Sequence, residues 1–112
     1  MNTKELSEYL AKNCYCKDSA IRTDEIPIRG MTILRLRDTI LVNGWRILLE
    51  DLERQVYITS IKGGFLRMNK ADVALHLCDK QLRIALYARE GILNQHTSED
   101  VLNEIQRVFH KD

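Results

Sequence analysis

From Met31 to Tyr87 apolar residues alternate with polar ones, and an Asn43-Gly44 pair falls between two such runs. Successive side chains on a strand point to opposite faces, so the pattern describes a sheet with one dry and one wet face. Asn-Gly is the strongest short hairpin signal, because both residues tolerate the positive φ of a tight two-residue turn. The pattern constrains the fold and supplies no chemistry.

The runs can be placed one by one. Residues 2–13 read as a short helix capped by Asn2 or Thr3, with Asn2 and Glu5 at capping-box spacing and Leu6, Tyr9, Leu10 and Asn13 on one face. Ile26-Pro27-Ile28 is extended, and Pro27, lacking an N–H, confines it to a sheet edge. Arg29-Gly30 then turns the chain. Thr32 to Val42 places Leu34, Leu36, Ile40 and Val42 on one parity and Arg35 and Arg37 on the other, which predicts a strand with a bulge or tight turn at Asp38-Thr39. After Asn43-Gly44 the run Trp45 to Leu49 is expected to return antiparallel to it. Asp51 to Arg54 is a charged turn, and Gln55 to Ile61 a third strand with Val56 and Ile58 opposed by Tyr57, Thr59 and Ile61. Gly63-Gly64 ends it, and Phe65 to Met68 is a short extended piece.

Residues 70–89 admit two readings. As a hairpin, Val73, Leu75 and Leu77 share a face, as do Leu82, Ile84 and Leu86, with Asp79-Lys80 turning between them. As a helix, Ala71, Ala74, Leu75, Cys78, Leu82, Ala85 and Leu86 form one stripe. The alanines favour the helix and the period-2 aliphatics the hairpin; the hairpin is preferred. Thr97 is expected to cap a closing helix, with Val101, Leu102, Ile105, Val108 and Phe109 as its apolar stripe and Arg107, His110 and Lys111 complementing its C-terminal dipole. The predicted class is α+β: an antiparallel sheet of four to six strands with an N-terminal and a C-terminal amphipathic helix.

A chain of 112 residues, 45% apolar and 29% charged, suits one domain spanning 1–112 that folds without a metal or disulfide. No apolar run approaches a membrane span, and the N-terminus lacks a secretory signal, so a soluble cytoplasmic protein is expected. Cys14, Cys16 and Cys78 fit reduced thiols. The net charge of +1 is uneven. Residues 31–89 carry ten basic and six acidic groups, whereas residues 90–112 carry two basic and five acidic ones. Such asymmetry can steer an acidic partner.

Motifs that would carry catalysis are weak. Cys14-x-Cys16 and His76-x-Cys78 have zinc-ligand chemistry without the usual knuckle spacing, so no metal and no cofactor is expected. Cys78 beside His76 lacks an oxyanion hole or helix N-terminus, and a buried thiol near a histidine explains it as well. Asp24-Glu25, Glu50-Asp51-Glu53 and Glu99-Asp100 sit at turns or a helix start, where acids are common. His96 and His110 read as solvated cap or dipole partners, and no phosphate-binding glycine loop is present.

Binding is the remaining class, and the chain is expected not to be an enzyme. Arg35, Arg37, Arg46, Arg67 and Arg83 can line the wet face of the sheet, with Leu48, Tyr57 and Ile61 between them. Tyrosine, arginine and isolated aliphatics are the composition of interface cores. The expected function is a regulatory, inhibitor-, immunity- or chaperone-like protein that occludes or stabilises an acidic protein partner through that face or an open edge, with homodimerisation through the face also plausible. Alternatively, one of the terminal helices covers that face. A nucleic-acid regulator using the same arginines, with Tyr57 as a stacking ring, is the second reading; no membrane partner is expected.

Overall fold

The computed structural model describes residues 1–17, 20–64, 67–89 and 96–110. The elements in chain order are α1 (Thr3–Cys14), β1 (Arg22–Pro27), α2 (Ile33–Val42), β2 (Arg46–Asp51), β3 (Val56–Gly63), β4 (Asn69–Cys78), β5 (Gln81–Arg89) and α3 (Thr97–Phe109). The strands form one antiparallel sheet in the order β1-β5-β4-β3-β2. The α+β class, the strand number and the two terminal helices are as the sequence predicts.

The sheet is covered on both faces. Leu6 and Leu10 of α1 pack with Val56, Ile58, Ala74 and Ala85 on one side. On the other, Leu36 and Ile40 of α2 and Val101, Ile105 and Phe109 of α3 pack with Tyr57, Ile61, Val73, Leu75, Ile84 and Leu86. Neighbouring residues in β3 and β4 are therefore buried in opposite directions, and the wet face inferred from the alternation is largely absent. The alanines that spoke for a helix over 70–89 have a different use: Ala74 and Ala85 keep the sheet surface low where α1 lies on it. The hairpin reading is the observed one, with Asp79 (φ 29°) and Lys80 between Cys78 and Gln81.

The clearest correction concerns residues 32–42, which form a helix and not a strand. Ile33, Leu36 and Ile40 recur at helical spacing and turn inward, while Leu34 and Val42, assigned to the dry parity, are 66% and 85% exposed. Thr32 caps the helix through its Oγ1, which accepts from the Arg35 N–H at 3.1 Å. Asp38-Thr39 is no bulge: the Thr39 hydroxyl donates to the Arg35 carbonyl one helical turn back, at 2.8 Å. Asn43-Gly44 ends the helix, with Gly44 at φ 74° and its N–H on the Leu41 carbonyl. A left-handed residue after a helix and a primed hairpin turn ask for the same dipeptide, so Asn-Gly by itself does not distinguish them. Consequently β2 has no strand before it to pair with and, among the described residues, pairs with β3 alone, across a bulge between Ile47 and Leu49.

Other expectations hold with small shifts. Asn2 and Glu5 make the reciprocal capping box, at 2.8 and 3.0 Å. β1, carrying Pro27, is an edge strand. Residues 52–55 turn between β2 and β3, with Asp51 Oδ1 accepting from the Arg54 N–H. The closing helix has its predicted stripe, but His96 (φ 57°) occupies the cap position. Thr97 is instead the first helical residue, buried, its hydroxyl accepting from Asn69 Nδ2 at 3.0 Å. Part of the extended piece expected at Phe65 to Met68, and Lys111 in the final turn, lie outside the described residues; Arg67 takes φ 55°.

α3 meets the sheet closely at Gly63. A Cβ there would lie 2.7 Å from Val101 Cγ2 and 3.3 Å from the Thr97 carbonyl. Gly63→Ala is expected to lower stability by roughly 1–3 kcal/mol, from overpacking against the short, β-branched Val101 side chain and the Thr97 carbonyl behind it; chemical denaturation measures it, and an unchanged midpoint contradicts the close approach.

His76 lies under the N-terminal end of α1, nearly fully buried, and its Nδ1 has no hydrogen-bond partner among the described residues. Burial, then the Met1 amine and Arg83, hold its pKa below the ordinary 6.5. In the unfolded chain the imidazole takes its proton first as pH falls, so stability is full above about 6.5 and is lost below it. Between pH 7 and 5 the urea midpoint of the native chain is expected to fall more than that of His76→Gln; equal slopes contradict this.

Candidate anion-binding cleft

The arginines grouped by sequence parity are dispersed by the fold. Arg35 and Arg37 lie on α2: Arg35 Nη1 donates to the Gly30 carbonyl at 3.1 Å, and Arg37 Nε lies 3.3 Å from Glu50. Arg83 donates to the Met1 carbonyl beneath α1 and stands 4.0 Å from Glu25. Tyr57 and Ile61 are not on a wet face at all. Both are buried, at 0% and 1% exposure, because β3 carries helices on both sides. The Tyr57 hydroxyl donates to Glu50 Oε1 at 3.0 Å, and burial followed by that carboxylate pushes its pKa up to about 12. Leu48 is 46% exposed at the β2 bulge and lines a separate hollow with Tyr15 and Cys14.

Of the predicted residues, Arg46, Ile61 and Arg67 do come together. They line a cleft of about 320 Å³ at the end of the sheet where β2 begins, β3 finishes and β4 begins. Asn43, Gly44, Trp45, Ser60, Lys62 and Lys70 complete its wall. Four of the lining side chains are cationic and none is a carboxylate. The sheet register explains the clustering. Arg46 faces Ser60 across β2 and β3, and Lys62 faces Lys70 across β3 and β4. Lys70 in turn faces Arg89 on β5. Since Ser60 and Lys62 are two apart, all share one sheet face. It is the α1 face, past the point where Arg89 Nη2 donates to the Cys14 carbonyl at the end of α1.

Like charges directly opposite on antiparallel strands repel. Arg89 is neutralised by Asp72, at 2.6 Å, and Arg67 by Glu104, at 3.1 Å. Among the described residues Arg46, Lys62 and Lys70 have no carboxylate within ion-pair distance. Trp45 lies behind the cleft wall, packed on Phe109, and its buried indole N–H has no partner among the described residues. Uncompensated cations gathered in a cleft suit an anion.

Sequence parity missed Lys62 and Lys70. A hairpin turning about residue 66 would have paired them, but the turn chemistry of 64–67 does not announce its centre. The other chemistry-bearing sets stay apart or are otherwise engaged. Cys14 lies beside Asp72, whereas His76 and Cys78 are four and six residues further along β4, roughly 13 and 20 Å at strand spacing. Among the described residues no His, Cys, Asp and Glu group could hold a metal, and no disulfide joins the cysteines. Burial, then Asp72, raises the Cys14 thiol to about 11, away from nucleophilic chemistry. Asp24 accepts from Gln106, Asp51 from Tyr9, and Asp100 from the Gly64 N–H. No helix among the described residues is long and apolar enough to cross a membrane.

Relieving the lysine pair is expected to stabilise the fold. Lys70→Glu turns two repulsive neighbours into attractive ones and should raise stability by roughly 0.2–1 kcal/mol at low salt, less at high salt. Destabilisation in both conditions would mean that the lysines do not oppose one another.

No protein-family model and no curated protein sequence matches the chain.

Proposed function

We propose that the chain is a non-enzymatic binding protein that seats an acidic segment of a partner protein in the cleft of Arg46, Lys62, Arg67 and Lys70, and so occludes or stabilises that partner. The observation that carries this is the direct opposition of Lys62 and Lys70 in a cleft with no carboxylate. A protein that keeps a repulsive arrangement on its surface gives up stability there, which is the pattern of functional sites. The arginine-lined face is replaced by this smaller surface, and the electrostatic steering argument carries over to it.

Strand addition is a weaker mechanism. β1 is blunted by Pro27 and by Arg22, Asp24 and Glu25, and β2 by its bulge and by Glu50 and Asp51. Such features guard edges against pairing. The nucleic-acid alternative loses its stacking ring, since Tyr57 is buried.

A Glu-rich peptide is expected to bind the chain with an affinity that falls as salt rises, and Arg46→Glu with Lys62→Glu is expected to abolish binding. Lys4→Glu, on the exposed side of α1, should leave it unchanged. Fluorescence titration of the single tryptophan reads all three. Equal binding by the double variant would sink the cleft as the site, and tighter binding of a single-stranded oligonucleotide would favour the second reading.

A further inference from the structure

We infer that the group the cleft recognises is a phosphoryl dianion, carried on a phosphorylated side chain of the partner protein, and this rests on the acidic-partner reading above. A single carboxylate brings one charge and two oxygens in a plane. A phosphoryl group brings a charge of about −1.5 to −2 and three acceptor oxygens at tetrahedral angles. The cleft offers the matching excess. Lys62 and Lys70, opposite one another, are two point charges that one carboxylate cannot neutralise together. Arg46 adds a guanidinium fork beside Ser60. Arg67 contacts Glu104 through one Nη, and Glu104 is shared with Arg107 at 3.4 Å, so the Arg67 guanidinium keeps further N–H donors for a ligand.

The remaining wall adds the Ser60 hydroxyl and no competing anion. At about 320 Å³ the space is at the lower end of ligand pockets, the size for one compact group of the acidic segment to enter it. No aromatic face is exposed among the lining residues, Trp45 being buried, so a base has nothing to stack on.

Trp45 is the only tryptophan, so its indole N–H gives one resolved signal at the wall of the cleft. Three ligands are titrated into the ¹⁵N-labelled chain: inorganic phosphate, a phosphoserine peptide with neutral flanks, and the same peptide with Glu at the phosphorylated position. The phosphopeptide is expected to move the Trp45 signal and to bind on the order of tenfold tighter than the Glu peptide. Inorganic phosphate should move the same signal more weakly. In Lys62→Gln with Lys70→Gln, whose folding is checked by the remaining amide signals, the preference should disappear.

Equal affinity for the two peptides would overturn the phosphoryl assignment and leave the acidic-partner reading standing. Inorganic phosphate binding as tightly as the phosphopeptide would overturn the partner-borne source. A preference that survives in the double variant would overturn the cleft as its seat. Failure of all three ligands to bind would overturn both.

Discussion

Burial of the central strands on both faces is the constraint on which the rest of the structure depends. Val73 and Ala74 are consecutive and both fully buried, one beneath α3 and the other beneath α1. A five-stranded sheet packed this way has no broad face left for a partner, so recognition is pushed to its margins. Each fully buried aliphatic contributes on the order of 1.5–3 kcal/mol, which places the main stabilising term in β3, β4 and β5. Polar ties then fix the covers. Arg89 joins Asp72 to the last carbonyl of α1, and Asp100 and Glu104 join the first turns of α3 to the β3–β4 connection.

The uncovered corner follows from helix length. α1 stops at Cys14, over Asp72, two residues short of Lys70 along β4. Beyond that point the α1 face of the sheet carries Arg46, Ser60, Lys62 and Lys70, and no helix among the described residues lies over them. Cations at that end are tolerated because water and salt reach them, and because Asp72 and Glu104 neutralise the neighbouring Arg89 and Arg67. The same arrangement leaves three positive charges free to meet an anion. Fold and site are therefore linked: the helix that makes the sheet two-sided is also what leaves its end exposed.

Much of the fold could be read from local chemistry, where one physical cause dominates. The capping box at Asn2 and Glu5, the proline that confines β1 to an edge, the Asp79-Lys80 turn and the α3 stripe each depend on a few neighbouring residues. The α2 region was not legible because its apolar residues satisfy two periods at once. Leu34, Leu36, Ile40 and Val42 share a parity, while Ile33, Leu36 and Ile40 share a helical face, and Asn43-Gly44 fits either ending. Tyr57 and Ile61 were misplaced for a related reason: alternation reports one dry face, and a strand buried on both faces has no reliable alternation. The site was legible at Arg46, Arg67 and Ile61, the last expected on a wet face and found buried in the cleft wall. Its lysines come together through a register that sequence spacing alone does not fix.

Methyl nuclear Overhauser contacts from two adjacent residues test the two-sided sheet most directly. The account predicts that the Ala74 methyl contacts methyls of α1 and that the Val73 methyls contact methyls of α3, in the same sample and under the same conditions. Loss of either set, or contacts from both residues to one helix, would contradict it.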